Sequence, residues 1–175
     1  FTIAFNSLGT IYALQKEYAK AVHYFKNSLK ANPKYENALL NLGMIYEILG
    51  RFPEAIKTYK KLLELNPNHT DAMFSLGWVL KDEKRYREAA PIFKRAINLE
   101  PTANTYYGLG MVYNEMDRHE DALAQFHKAL QIDANHLGAN EKIILLEKEL
   151  ENKTLINPRS RIQATSGKSD IILVP

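Results

Sequence analysis

Four glycines recur along this chain at an almost constant spacing. Gly9, Gly43, Gly77 and Gly110 lie 34, 34 and 33 residues apart. Each glycine follows a leucine, and an alanine comes twelve residues after it and an aromatic residue sixteen after it. A fixed period of roughly 20 to 50 residues is the sequence signature of a stacked repeat array. The chain is therefore expected to fold as repeated units that pack against their neighbours, rather than around one central core.

The small residues in this pattern have a packing role. A glycine on one helix and an alanine on the next remove side-chain bulk where two helices touch, so their axes approach closely. The aromatic residues that follow, Phe25, Tyr59, Phe93 and Phe126, then fill the space beside each contact. One such helix pair cannot bury its apolar face alone, whereas several stacked pairs can.

The pattern resembles the tetratricopeptide repeat, in which each copy is a pair of antiparallel helices. The resemblance covers residues 2–136 and implies an all-α, right-handed superhelical solenoid of helix-turn-helix repeats with a C-terminal capping helix. The expected repeats are 2–35, 36–69, 70–102 and 103–136, followed by the cap at 137–152 and a basic tail at 153–175, flexible or docked. Their helices are expected at about 3–15, 18–31, 35–49, 52–65, 69–83, 86–99, 103–116 and 119–132.

Pro91 falls inside the helix that is expected to begin near Tyr86. Proline removes a backbone hydrogen-bond donor and clashes with the preceding turn of a helix. The sequence therefore predicts a local bend or a late start of this helix.

Composition narrows the class of protein further. The chain is 46% apolar and 25% charged, and it contains no cysteine, which leaves neither a disulfide framework nor a thiolate site. No uninterrupted apolar run approaches the roughly 20 residues of a membrane span, and no signal-peptide pattern is visible. We expect a soluble protein without direct membrane insertion, most consistent with the cytoplasm. The chain begins with Phe1, so the sequence leaves open whether further repeats precede it.

The net charge of +3 is unevenly distributed. Residues 153–175 contain four basic side chains against the single carboxylate of Asp170, which accounts for the whole excess and leaves the repeats neutral. A neutral body exerts little long-range attraction on phosphates. Nucleic acid is therefore not expected as a partner.

Both ends of the array carry apolar side chains that lack an obvious partner. The first helix presents more apolar surface than one helix would cover, and we expect further repeats or another chain to pack on it. At the other end, Ile144 stands where a fifth repeat would need glycine, so the last helix is expected to be a cap. Its predicted array-facing side is Ala139, Ile143, Leu146 and Leu150, and its outward strip is Leu137 and Ile144.

The tail allows three interpretations. It is a disordered terminus, or its four apolar residues 171–174 are an extended ligand for a groove, or residues 173–175 begin a vector-derived protease site rather than native sequence. The closing residues also resemble those of a tetratricopeptide scaffold protein associated with magnetosomes.

In repeats two to four, one side of the first helix is unusually apolar. On a helical wheel of about 100° per residue, the side opposite the packing arc would line the concave surface of a tetratricopeptide array. Repeats two to four place six large side chains there: Leu40, Met44, Phe74, Trp78, Tyr107 and Met111. Polar residues beside them are Asn37, Asn41, Lys81 and Asn114, with a rim of Glu47, Asp71, Ser75, Asp82, Asn104 and Glu115. A contiguous apolar patch usually marks a binding surface, although these side chains could instead only fill space between repeats.

Two specific binding modes of the family are not supported. The resemblance implies that a clamp for a terminal carboxylate would need cations and asparagines at Asn6, Thr10, Asn41, Asp71 and Ser75, of which only Asn41 matches. Without cations this site cannot hold a carboxylate. The positions of an asparagine ladder read Ser7, Asn41, Ser75 and Gly108, so that mode is not expected either.

No arrangement of residues indicates catalysis. The five histidines are scattered, and His119 and His127, which share a helix face, are too far apart for a two-ligand metal pair. No glycine-rich phosphate loop, nucleophile elbow or paired-carboxylate constellation occurs. We expect no intrinsic enzyme activity, no cofactor and no metal.

The sequence favours a protein-interaction scaffold that binds an apolar peptide or amphipathic helix in its concave groove. One alternative is a scaffold that forms homo-oligomers through its ends or its tail. Another is the regulatory arm of a larger enzyme whose catalytic domain lies outside this chain.

Overall fold

The computed structural model describes residues 1–156, with side chains through residue 153. The described part of the chain contains nine α-helices and no strand. They are α1 (Thr2–Leu14), α2 (Tyr18–Ala31), α3 (Glu36–Ile48), α4 (Phe52–Leu65), α5 (Thr70–Asp82), α6 (Tyr86–Leu99), α7 (Ala103–Glu115), α8 (His119–Ile132) and α9 (Leu137–Ile156).

The helix bounds follow the sequence pattern closely. Each of the first eight helices begins and ends within one residue of its expected position. The exception is α9, which runs to Ile156 and is four residues longer than predicted. Residues 139–157 contain no glycine or proline, so the helical pattern continues up to the region where Pro158 disfavours it.

The helices form two layers. Each odd-numbered helix from α1 to α7 packs against the even-numbered helix that follows, and that helix packs against the next odd-numbered one. The odd-numbered helices of neighbouring repeats also contact each other, in the order α1, α3, α5 and α7, whereas the even-numbered helices do not approach each other in this way. The array therefore curves towards its odd-numbered helices, and these form its inner, concave wall.

The repeated glycines are the contact points between the two layers. Phe25, Tyr59, Phe93 and Phe126 are at most 1% exposed, and each ring lies against the glycine of its own repeat. A Cβ atom on Gly43 would lie 2.5 Å from Cε1 of Tyr59, and one on Gly77 would lie 2.7 Å from Cζ of Phe93. No side chain fits at these positions, which is why the period of the glycines is the period of the fold.

The turn inside each repeat uses the left-handed backbone conformation. Lys16, Gly50, Lys84 and Asp117 follow α1, α3, α5 and α7 with φ between 57° and 67°. Only repeat two has a glycine at this position, so the other three repeats accept a backbone conformation that costs an L-residue about 1–2 kcal/mol.

Of the two outcomes predicted for Pro91, a local bend or a late helix start, the late start is wrong. Helix α6 runs without interruption from Tyr86 to Leu99 and includes Pro91 on its exposed side. Ala89, Ala90, Phe93 and Ala96 on the opposite side are buried against the array. This burial holds the helix in place despite the missing backbone donor, because tertiary packing routinely outweighs local propensity.

The two ends of the described chain expose apolar side chains. Gly9 is the only buried residue of α1, and Ile3, Ile11 and Leu14 are 68%, 50% and 79% exposed. Helix α9 buries Ala139, Ile143 and Leu146 against α8 and exposes Leu137 and Ile144, as the sequence predicted. Leu150, which was also predicted to face the array, is only half-buried. The tail beyond residue 156, with its three interpretations, lies outside the described residues.

Candidate partner-binding groove

Three aromatic side chains of the predicted groove form a continuous strip on the inner wall. The ring centroids of Phe74 and Trp78 are 6.2 Å apart, and those of Trp78 and Tyr107 are 6.0 Å apart, so the strip crosses from α5 to α7. Trp78 also packs edge-on against the buried Phe93 at 5.9 Å. All three strip residues are partly exposed. One edge of each ring therefore contacts the core and the other remains accessible to a partner.

The three non-aromatic members of the predicted groove differ in exposure. Leu40 and Met111 pack against the core and are half-buried, whereas Met44 is 45% exposed. Met44 is the most open large side chain that the sequence placed in the groove. Its unbranched, polarisable thioether adapts to irregular apolar surfaces.

Helix α9 covers the α7 end of the strip, which the sequence did not indicate. The His136 ring lies 4.9 Å from the Tyr107 ring between centroids, and a Cβ on Gly138 would lie 3.0 Å from Cζ of Tyr107. The Nε2 atom of His136 is 3.0 Å from Oδ1 of Asn104. Gly138 allows this close approach, and it is the feature of the sequence from which the contact could have been predicted. The accessible part of the groove thus lies mainly over α3 and α5.

The polar residues predicted for the groove are partly engaged with their neighbours. Asn41 donates from Nδ2 to Oδ1 of Asn6 at 3.2 Å, a bond between repeats two and one, and Asn37 lies 3.5 Å from the Tyr35 hydroxyl. The Lys81 ammonium lies 5.2 Å above the Trp78 ring. The Asn114 side chain is half-buried at the end of α7.

A cavity of about 250 Å³ opens beside Phe74, between the starts of α5 and α7. Its other lining residues are Thr70, Asp71, Glu100, Thr102, Asn104 and Thr105. The sequence identified Asp71 and Asn104 as rim residues but missed the threonines and Glu100, which come from helix starts and a loop rather than from the central face. A larger cavity of about 430 Å³ lies away from the strip, between residues 84–88 and Met116.

The inner wall also contains a polar cluster between repeats two and three. Burial raises the pKa of Glu47 to about 7, with a further contribution from the negative charge of Asp82, while the Tyr59 hydroxyl acts in the opposite direction. Burial likewise raises the pKa of Tyr59. Glu47 and Ser75 both affect the pKa of Tyr59. Neither side chain is placed to form a hydrogen bond with the Tyr59 hydroxyl, which has no partner among the described residues.

Two of the histidines have structural roles. His69 accepts a hydrogen bond at Nδ1 from the backbone N–H of Ala72 at 3.3 Å, and His136 accepts one from Ala139 at 3.1 Å, so they cap α5 and α9. Within residues 1–156 there is no group of three or more metal-ligating side chains that could hold a metal ion. Over the same range, no helix has the length and apolarity required to span a membrane.

Comparisons with known proteins agree with this architecture. Sequence models of the tetratricopeptide repeat match residues 34–99 in one case and residues 2–35 and 103–136 in another. No curated protein matches the chain in sequence.

Several solved structures share the fold. A structure of MamA is 27% identical, has a TM-score of 0.81, and is matched over 99% of this chain and 98% of that one. A structure of MamA from Desulfovibrio magneticus RS-1 is 21% identical with a TM-score of 0.81 over 97% of each chain, a likeness of fold alone. YrrB, described as a tetratricopeptide repeat protein with an unusual peptide-binding site, is 27% identical with a TM-score of 0.74, over 80% of this chain and 73% of that one. The likeness to MamA confirms the resemblance to a magnetosome-associated repeat protein.

Proposed function

This chain belongs to the tetratricopeptide repeat family, and we propose that it binds an apolar peptide or amphipathic helix on the inner wall formed by α3, α5 and α7. The repeat fold is that of a protein-interaction scaffold. The observation that carries the proposal is the partly exposed strip of Phe74, Trp78 and Tyr107. Large, rigid aromatic side chains beside a cavity are typical of the residues that dominate the free energy of protein association.

The geometry of the strip suits an apolar anchor flanked by polar contacts. The cavity beside Phe74 is open to a side chain, and the hydroxyl and carboxylate groups in its lining can pair with the polar groups of a bound segment. The peptide-binding site named for YrrB supports the same use of this fold.

The test uses peptides selected from a random 12-residue phage library on the immobilised protein. Trp78 is the only tryptophan of the chain, so a change in intrinsic fluorescence reports binding at the strip directly. We expect Met44→Ser to weaken binding of the selected peptides at least fivefold, because it removes the most open apolar side chain of the groove.

The matched control is Leu99→Ser at the end of α6, since Leu99 is 44% exposed and Met44 is 45% exposed. The control should leave affinity unchanged. Equal losses in both variants, or binding without any change in Trp78 fluorescence, would place the site elsewhere.

A second proposal, self-assembly, is favoured by the exposed apolar face of α1. Ile11 and Leu14 are 50% and 79% exposed and lie on a helix that packs on one side of the array only. If copies associate through this face, light scattering should show a mass that rises with concentration. The double variant Ile11→Glu and Leu14→Glu should then remain a monomer. A monomeric wild-type chain at all concentrations would exclude this assembly.

A further inference from the structure

The polar cluster of the inner wall is specific to repeat two. Repeats one, three and four place phenylalanine at the buried position of the second helix, and repeat two places Tyr59 there. The residue four after the repeated glycine is Ala13, Glu47, Lys81 or Asn114, so repeat two is also the only one with an acidic side chain at that position. Two independent departures from the repeat pattern thus meet at one place.

The ring of Tyr59 directs its hydroxyl towards the inner wall. Its Cζ atom, which bears the hydroxyl, would lie 2.7 Å from a Cβ on Gly43, and Gly43 belongs to the inner helix α3. Glu47 follows one helical turn later on α3, and Ser75 lies on the neighbouring inner helix α5. The phenolic end of this fully buried side chain therefore lies beneath the groove surface, between α3 and α5.

Packing does not explain this hydroxyl. Phe25, Phe93 and Phe126 fill the same position elsewhere in the array with no polar atom. A buried hydroxyl without a hydrogen-bond partner is unfavourable, and the Tyr59 hydroxyl has none among the described residues. Residues that lower stability without a packing reason are characteristic of functional sites.

The charges around the cluster are negative on balance. Glu47 on α3 is half-buried and pairs with no cationic side chain of the described residues within ion-pair distance. Asp82 on α5 adds a second negative charge that disfavours ionisation of Glu47. Lys81 is the nearby cation on α5, but its ammonium lies 3.0 Å from Asp82 and over the Trp78 ring. An additional positive charge would stabilise the Glu47 carboxylate.

From this geometry we propose that Glu47, Tyr59, Ser75 and Asp82 form an acidic subsite that takes the lysine or arginine side chain of a bound peptide. The inference deepens the proposed peptide binding and rests on it. A guanidinium or ammonium group supplies donors to the partly exposed Glu47 carboxylate and Ser75 hydroxyl, while the buried Tyr59 hydroxyl stabilises the same carboxylate from beneath. A metal ion is the less suitable occupant, because no group of three metal-ligating side chains occurs in the described part of the chain. The partner is thus a segment that carries a basic residue close to an apolar anchor for the aromatic strip.

The decisive experiment compares versions of one phage-selected peptide that differ at a single position. We expect selected peptides to be enriched in lysine or arginine next to an aromatic or aliphatic residue. Replacing that basic residue by glutamine should weaken binding about tenfold, as measured by Trp78 fluorescence, and replacing it by glutamate should weaken binding further.

Variants of the protein identify the subsite. Glu47→Gln should abolish the preference for the basic peptide over its glutamine version, while the glutamine version still binds. Tyr59→Phe, which reproduces the side chain of the other repeats, should reduce the preference about threefold without loss of the fold. The control Glu64→Gln, on the exposed side of α4, should leave the preference unchanged.

Proton release provides a readout that a purely structural role would not affect. Binding of a cation beside Glu47 should expel its proton near pH 7, which calorimetry in buffers of different ionisation enthalpy detects. Peptides that bind at the strip with no preference for a basic residue, in both the wild type and Glu47→Gln, would overturn the subsite and leave the proposed function standing. Failure of all selected peptides to alter Trp78 fluorescence would overturn both.

Discussion

At the scale of single residues, the glycines of the inner helices set the distance between the two layers. A methyl group on Gly77 would meet three atoms of the Phe93 ring at 2.7–2.9 Å, and that ring is completely buried and also lies against Gly108. Helix propensity alone would make alanine about 1 kcal/mol more favourable than glycine here. A loss of stability on replacing Gly77 by alanine would therefore show that packing outweighs helix propensity at this position.

We predict that Gly77→Ala lowers the free energy of unfolding by about 2–3 kcal/mol, as overpacking of a filled core does. Gly50→Ala is the comparison, because no atom lies within 4 Å of its added Cβ and only its φ of 67° opposes the change. That substitution should cost about 1 kcal/mol. Urea unfolding measures both, and a stabilised Gly77→Ala variant would contradict the packing described here.

The acidic side chain of Glu47 should give stability a defined pH dependence. Its pKa is raised from an ordinary value of 4.5 to about 7 in the folded chain, mainly by burial. The folded state therefore holds this proton more tightly than the unfolded state does. Stability that is present below about pH 4.5 is lost as the pH rises through about 7.

Glu47→Gln removes this ionisation. The variant should match the wild type near pH 4 and exceed its unfolding free energy by about 1–2 kcal/mol at pH 8, a value below the full shift because the carboxyl is partly exposed. Urea unfolding at a series of pH values gives the difference curve. A difference that does not change between pH 4 and pH 8 would show that Glu47 ionises as freely when folded as when unfolded.

At the scale of the helix, α6 shows how packing maintains a helix against an unfavourable residue. Pro91 lies in its sixth position and points to solvent, whereas the neighbouring buried face includes Ala90 and Phe93. The proline ring removes one backbone hydrogen bond and makes no compensating buried contact.

Pro91→Ala should therefore stabilise the protein, by about 1–3 kcal/mol, since proline inside a helix is about 3 kcal/mol less favourable than alanine. Thermal unfolding followed by circular dichroism measures the gain. The control is Lys94→Ala, which replaces an exposed residue other than proline in the same helix. It should change the free energy of unfolding by less than about 0.5 kcal/mol. A loss of stability on replacing Pro91 would indicate a local contact that the helix geometry does not show.

At the scale of the whole molecule, the described chain is a row of repeats in which each repeat contacts only the units next to it. Helices α3 to α6 are packed on both sides, whereas α1 buries a single residue and α9 packs on α8. Stability in such arrays is approximately a sum of unit and nearest-neighbour terms.

Native-state hydrogen exchange should show this gradient. We expect amides in α3 to α6 to exchange at least tenfold more slowly than those in α1 and α9, because the end helices open without disrupting the centre. Uniform protection across all described helices would instead indicate a single cooperative unit. Slow exchange confined to α1 would point to a partner on its exposed face.

Much of this architecture followed from the sequence, because the period of Gly9, Gly43, Gly77 and Gly110 has one physical cause. Each glycine must lie against an aromatic ring, so the spacing fixes the number of helix pairs and their order. The inner-wall positions of Phe74, Trp78 and Tyr107 could be predicted for the same reason, since a helical wheel assigns sides once the packing arc is known. Their role in binding a partner remains a prediction.

What the sequence determined by itself was therefore the local order: which segments are helices, which faces pack and where each repeat ends. Only the tertiary structure decided how open the inner wall is. It showed that α9 places His136 and Gly138 over Tyr107, that Pro91 is accommodated in α6, and that the Tyr59 hydroxyl is left without a partner near Glu47. These features depend on distances between residues up to about thirty positions apart, and a periodic pattern specifies that two helices touch without specifying which atoms are left unpaired where they meet.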